Sequence, residues 1–354
     1  MNTLSQNFYS WVLLVICLLA SGVEVSGQEK KSAPSGKLED LEKVDWTSRP
    51  DPEGRKTVVE LSVKLLDIDE IDGASQTFTA NVVVLARWKD TRLVSGSKLR
   101  TLPLTEVWNP VLQITNQQKL FRTFPDVVQV DAEGNVEWVQ RYWGKFSNPL
   151  TLHDFPLDEH TFVIQLVVAS MDFKDVGLLE FKDEENRSGL AEKLSLPDWE
   201  VTDWRVKVGA VELIEGSPAL PGLAFEFDAS RYIGYYLTKV LLPLLMIVMM
   251  SWIVFWINPS QSATQISVAI TSMLTLIAYR FALGSMLPDV SYVTRMDGFI
   301  LIASVMVFVA LLEAVWTSRL VDEGKAEMAM KIDHICQRAF PAVFVTLCIY
   351  AAWG

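Results

Sequence analysis

The sequence predicts an all-β exported domain followed by an all-α, four-helix transmembrane domain, and three observations predict it. Half of the 354 residues are hydrophobic although the formal charge is -12, and the two properties are segregated. Up to about Arg231 the chain is mixed and acidic; beyond it long apolar runs dominate. In the first part apolar and polar residues alternate with the period of a strand, and in the second four apolar runs approach the roughly 20 residues a helix needs to cross a bilayer.

At the N-terminus, "WVLLVICLLA" (Trp11 to Ala20) followed by the small residues of "SGVEVSG" reads as a secretory signal over residues 1–27. Its alternative, a first membrane anchor, falls short of a span in length, although no Lys or Arg precedes the run. Residues 28–56 carry the breakers "KKSAPSG" and "RPDPEG" and are expected to form a flexible lead with a short helix at "KLEDLEK". Of three cysteines, Cys17 leaves with the signal. Cys336 and Cys348 fall in one helical segment, about 18 Å apart at 1.5 Å per residue, and do not pair within a subunit. The exported domain therefore has no disulfide and depends on its core.

That domain is expected over residues 57–231. In "VELSVKL" the apolar Val59, Leu61, Val63 and Leu65 alternate with Glu60, Ser62 and Lys64, the mark of a strand with one wet face. "TFTANVVVLARW", "NVEWVQRYW", "HTFVIQLVV", "DWRVKVGAVEL" and "LAFEFDA" follow, punctuated by turns such as "DAEGN" and "SPALPG". Several short strands so spaced predict an immunoglobulin-like β-sandwich of roughly 170 residues. No phosphate loop, zinc-spaced Cys/His set or nucleophile elbow occurs in it, so no enzyme activity, metal, cofactor or nucleic-acid partner is assigned.

The membrane part, 232–354, divides into spans at 235–257, 265–283, 298–316 and about 335–353, the last beginning with the polar turns of "KIDHICQR" at the interface. The connection between the third and fourth spans holds Arg319, Lys325, Lys331 and Arg338, against Asp289 and Arg295 after the second. That bias puts the third connection in the cytoplasm and the N-terminal domain outside.

The second span is unlike the others. Ser267, Thr271, Leu274, Ala278, Phe281 and Ser285 recur in steps of four and three, one stripe on one helix face, polar toward the cytoplasm and apolar above. Two readings fit it. The hydroxyls bond back to their own helix carbonyls, or the stripe lines water, with Leu274 and Phe281 as constrictions that close by dewetting. One subunit supplies one such helix, so a pore requires a ring of subunits.

At this point the chain resembles the pentameric ligand-gated ion channels, the Cys-loop receptor superfamily, and within it the bacterial branch. The resemblance rests on "WNP" at Trp108 to Pro110, "GKFSN" before "FPLD" at Phe155 to Asp158, and Arg231 before the first span. It continues with Pro243 inside that span, "SWIVFW", "LP" at Leu287 and Pro288, and "AFP" opening the fourth. In animal relatives two cysteines enclose the FPxD loop; here Asn148 and Phe162 stand at the corresponding positions. This departure, the signal peptide and the short third connection favour a bacterial inner-membrane protein with its N-terminal domain in the periplasm.

The resemblance implies a homopentamer, each chain surrounded by membrane lipid and associated with four further copies of itself, passing permeant ions along a pore lined by the second helix. It implies that the loop containing Phe155, Pro156 and Asp158 presses on the membrane domain, that Asp158 pairs with Arg231, and that Leu287 and Pro288 receive the push. The family's agonist pocket would lie near Val83, Trp108, Ala169, Met171 and Phe173, but Val83 and Ala169 replace expected aromatic residues and the capping loop "IEGSPALPG" has none. A cationic agonist held by ring faces is therefore not expected; the agonist is an unidentified small molecule, protons, or both. Ser262, Ala263 and Thr264 carry neither the glutamate of bacterial cation-conducting relatives nor the Pro-Ala-Arg signature of anion-selecting ones. The acidic exported domain favours cations.

Two of the chain's three histidines frame the coupling loop in "HDFPLDEH". Solvated side chains, a metal site and a hydrolase centre are the readings that need no channel. Within a channel, His153 and His160 would act as proton sensors beside the loop. The competing function is a membrane-anchored sensor that conducts nothing.

Overall fold

The computed structural model describes residues 45–353 except 52–53, 97–98, 184–185 and 285–289, with the backbone alone for 351–353. The expected signal, the "KLEDLEK" helix, Ser285, Leu287 and Pro288 lie outside the described residues.

Six strands follow the alternating segments: β1 (Thr57–Asp72), β2 (Thr77–Lys89), β7 (Asn135–Ser147), β8 (Glu159–Val168), β11 (Trp199–Val211) and β12 (Leu220–Arg231). Six shorter ones are β3 (Arg100–Pro103), β4 (Leu112–Ile114), β5 (Gln117–Arg122), β6 (Val127–Val130), β9 (Val176–Glu180) and β10 (Gly189–Leu190), too brief to show a period. They make two sheets. One runs β10-β1-β2-β7-β6-β3, with β9 also on β1 and β5 also on β7; the other runs β11-β12-β8-β4.

Register places the apolar sets in line. Val59, Leu61, Val63 and Leu65 of β1 face Trp88, Ala86, Val84 and Val82 of β2, and all eight are buried. The sheets meet face to face at Phe78 of β2. Its ring stacks on Phe146 of β7 at 5.1 Å and meets edge-on Phe162 of β8 at 5.4 Å and Phe227 of β12 at 5.6 Å. Such pairs add about 0.5–1.5 kcal/mol each beyond their buried area, which is what a domain without a disulfide needs.

Four helices long and apolar enough to cross a membrane follow: α1 (Ile233–Trp256), α2 (Ser262–Leu283), α3 (Arg295–Asp322) and α4 (Ala326–Trp353). Within α1, residues Leu237–Leu241 widen to a π-helical turn. Pro243 has no N–H to give the Lys239 carbonyl, and the hydroxyl of Tyr279 on α2 donates to the freed carbonyls of Lys239 and Val240 at 3.3 and 2.7 Å.

The fourth helix begins at Ala326, well before the expected start near 335, and the third runs beyond 316 to Asp322. The connection is thereby reduced to 323–325, where Gly324 at φ +77° ends α3 and donates to the Val321 carbonyl. Polar residues hid the helix because most of them face outward while Ala329 and Asp333 face in, 0 % and 2 % exposed. Asp333 belongs to "KIDHICQR", which is helical and turns Asp333 into the bundle while Lys331, His334, Ile335 and Arg338 stay exposed.

Candidate functional site

Register also builds the contact between the two parts of the chain. Glu159 on β8 pairs with Ser230 on β12, so the next rung brings Asp158 to Arg231. The guanidinium grips the carboxylate with both arms, Nε to Oδ1 at 3.0 Å and Nη2 to Oδ2 at 3.1 Å, and the side chains are 8 % and 1 % exposed. Trp199, the cross-strand neighbour of Arg231, lies 4.1 Å beneath the guanidinium and Phe155 lies 4.9 Å from it. The third member is His160, whose Nε2 is 3.0 Å from Asp158 Oδ2. Burial works to raise the Asp158 carboxyl, but hydrogen bonds from His160 and Arg231, with the Arg231 charge, hold it below its ordinary value.

From this anchor the loop reaches the membrane domain through main-chain bonds. The first helical N–H groups of α3 have no partner within their own helix. Arg295 N–H donates to the His153 carbonyl at 2.9 Å and Met296 N–H to the Phe155 carbonyl at 3.2 Å. Thr294 caps the third, Asp297 N–H, at 3.2 Å. The loop is thus part of the N-terminal cap of α3. Just upstream, the Tyr292 hydroxyl accepts from Leu152 N–H at 2.8 Å, and its ring packs 4.2 Å from His153. Arg295 also binds Asp154 at 2.9 Å. His153 and His160 therefore serve different partners, His153 exposed against Tyr292 and His160 enclosed against Asp158.

On α2, Ser267, Thr271, Leu274, Ala278 and Phe281 are all exposed, while Gln265, Ala269, Ser272, Leu276 and Leu283 on the other face are buried. Ser267 and Thr271 donate to the carbonyls of Ala263 and Ser267, each at 2.7 Å. Outward residues of α1 and α3 include the apolar Leu245, Met246, Leu301, Val305 and Leu312, with Thr238 and Lys239 exposed near the start of α1 and Arg319 and Asp322 at the end of α3. Among the described residues of these three helices, α2 exposes four serine and threonine hydroxyls, Thr264, Ser267, Thr271 and Thr275, against Thr238 on α1 and none on α3.

A family model described as the neurotransmitter-gated ion-channel ligand binding domain matches residues 37–214, and one described as the neurotransmitter-gated ion-channel transmembrane region matches residues 240–346. The chain belongs to the pentameric ligand-gated ion-channel family. Family membership places it in a non-catalytic class. Gamma-aminobutyric acid receptor subunit gamma-1 of Rattus norvegicus is 29 % identical over 293 residues, 77 % of this chain and 60 % of that relative; the Homo sapiens subunit matches equally. The chain thus spans 60 % of the length of these subunits. A proton-gated ion channel of Gloeobacter violaceus is 24 % identical over 315 residues, 87 % of this chain and 86 % of the relative. That bacterial homologue is matched over most of its length.

At Asn148 and Phe162, the two positions where the resemblance implies a cysteine pair in animal relatives, an amide does the tying. Asn148, 5 % exposed, donates from Nδ2 to the Thr161 carbonyl at 3.1 Å and accepts at Oδ1 from Val163 N–H at 3.1 Å, one on each side of Phe162. Phe162 itself is in the core.

The residues expected around a ligand are dispersed in character. Trp108 is buried edge-on against Trp88 at 5.9 Å, a core residue. Val83 is half-buried on β2 opposite Arg141, and Ala169 N–H donates to the Val111 carbonyl at 3.0 Å. Met171 is 99 % exposed, and Phe173 edges a recess shared with Lys174, Val208 and Pro221. The sequence reading passed over a buried polar group, Gln265, Glu313 and Asp333. Its signal was a carboxylate in the midst of the apolar run "FVALLEAVW".

Proposed function

We propose that the chain assembles with four further copies into a homopentameric channel in a bacterial inner membrane, passing ions passively along a pore lined by α2. In this reading the immunoglobulin-like sandwich, 57–231, faces the periplasm as the ligand-binding domain, and 232–354 is the membrane domain. The observation that carries it is the outward hydroxyl-bearing stripe of α2, on a helix whose opposite face is packed, beside helices whose middle turns turn mainly apolar residues outward. Water rewards such a stripe and lipid does not. Leu274 and Phe281, 61 % and 82 % exposed, would be the constrictions.

Gating by a small molecule or by protons follows from the contact face. Phe155, Pro156, Asp158 and Arg231 transmit movement of the sandwich into the cap of α3, and Leu287 and Pro288 connect it to α2. His153 and His160 are the proposed proton sensors, and Phe173 with Met171 the proposed ligand-facing residues. Cation selectivity rests on the formal charge of -12; a reversal potential that follows the chloride gradient would overturn it.

The back-bonded hydroxyls of Ser267 and Thr271 favour the second reading, a non-conducting anchored sensor, because they satisfy the helix without water. One experiment separates the two. With Cys336 and Cys348 replaced by alanine, cysteine at Thr271 or Leu274 is expected to react with membrane-impermeant thiol reagents and block current, and cysteine at Leu301 or Val305 is not. Absence of current together with unreactive positions 271 and 274 would establish the sensor.

A further inference from the structure

At the end of the bundle remote from the β domain, three helices bury polar side chains together: Gln265 of α2, Glu313 of α3 and Asp333 of α4, 0 %, 7 % and 2 % exposed, with Thr317 of α3 one turn on from Glu313. The Gln265 amide donates to Asp333 Oδ2 at 3.2 Å and to the Ile257 and Val254 carbonyls at 2.8 and 3.4 Å. Glu313 and Asp333 are neighbours across the α3–α4 contact, close enough for each carboxyl to act on the other. Gln265 Oε1, both Glu313 carboxyl oxygens and Asp333 Oδ1 have no donor. The Thr317 hydroxyl is turned to the main-chain carbonyls of Glu313 and Ala314 and supplies none.

The group therefore has acceptors facing acceptors, and what it lacks is a donor. The ionisable neighbours that act on the pair are His334 and Cys336, both on α4. Among the described residues, no Lys, Arg or His forms an ion pair with either carboxylate, and α1 and α2 bring no charged group to them. Two uncompensated charges in a bundle interior would cost several kcal/mol each. A single proton removes one charge and creates the missing O–H···O bond.

We infer that Glu313 and Asp333 form a proton-binding site which, when occupied, holds α4 against the first turn of α2 through Gln265. Release of the proton would set two carboxylates against each other and loosen α4 from α2. Gln265 is two residues from Ser267, so in the proposed channel, on which this last step rests, the inner end of the pore would respond to proton concentration independently of the coupling loop.

The test uses the full chain in lipid nanodiscs. Infrared spectra at neutral pH are expected to show the carbonyl stretch of a protonated carboxyl that fades as pH is raised and is missing in Glu313→Gln. Because the folded chain would hold a proton that the unfolded chain releases, its unfolding constant should rise with pH, by at most about tenfold per pH unit. The Glu313→Gln, Asp333→Asn double variant should lack that slope. Asp333→Asn alone serves where the other variants do not fold, and should likewise flatten it. A wild-type spectrum without the band, a band that persists in the variants, or stability that follows sodium or calcium instead of pH would overturn the site. None of these readouts needs current: a silent protein with the band intact refutes the channel alone, and a conducting protein without it refutes the site alone.

Discussion

Asp158→Asn probes the coupling geometry most directly. The substitution leaves the Arg231 guanidinium, 8 % exposed, enclosed by Trp199 and Phe155 with no carboxylate and with His160 still beside the vacated charge. Stranding one member of a buried pair costs about 3–5 kcal/mol. The ring faces retain part of the cation's stabilisation, so the lower end, about 3 kcal/mol, is expected. For a domain of this size that lowers Tm by about 6–12 °C. Arg231→Met should be milder, about 1–2 kcal/mol, since Asp158 keeps its bond to His160. The two effects should fall short of adding in the double variant. The carboxyl lies below its ordinary value of 3.8 in the folded chain. Its contribution is therefore complete above that ordinary value and is lost as pH falls through the folded value, an acid-side decline that Asp158→Asn should lack. Thermal unfolding of the purified protein across pH measures all of this. If Asp158→Asn costs less than about 1 kcal/mol, is no worse than Arg231→Met, and the two add, the pair is not the buried anchor described.

Asn148→Ala removes both bonds that fasten the base of the loop and leaves the Thr161 carbonyl and Val163 N–H without that partner; a loss of about 2–4 kcal/mol is expected in denaturant unfolding. Asn148→Asp keeps the acceptor and loses the donor, and should fall between. In current recordings stepped across pH, His160→Gln should alter the pH dependence because His160 touches Asp158, whereas His153→Gln, exposed against Tyr292, should alter it less. A pH profile untouched by both replacements together would remove the histidines from gating.

What was legible in the sequence follows what each residue's surroundings demand. The alternation of Val59, Leu61, Val63 and Leu65 announced β1 because one face of that strand meets only apolar neighbours. The four apolar runs announced four helices for a similar reason: a bilayer imposes one composition on whatever crosses it. The six short strands escaped because two to six residues cannot display a period. The first turns of α4 escaped because their polar residues suit a helix as well as a loop, and the burial of Asp333 beside Gln265 and Glu313 depends on helices distant in sequence.

The same distinction governs the site. Asp158 and Arg231 were paired by resemblance, but the reason they meet is the β8–β12 register, and the reason the meeting matters is that His153 and Phe155 carbonyls complete the first turn of α3. A movement of the β domain that withdrew those carbonyls would weaken the N-terminal cap of a helix in the membrane domain, at about 1–3 kcal/mol for each N–H group that remained buried without a replacement. That is comparable to the coupling energies by which one site biases another, about 1–3 kcal/mol. In the proposed channel a cap of that strength would suffice to carry a signal and yet be broken by one, while the Asp158–Arg231 anchor, at the higher end of the scale, would keep the loop attached.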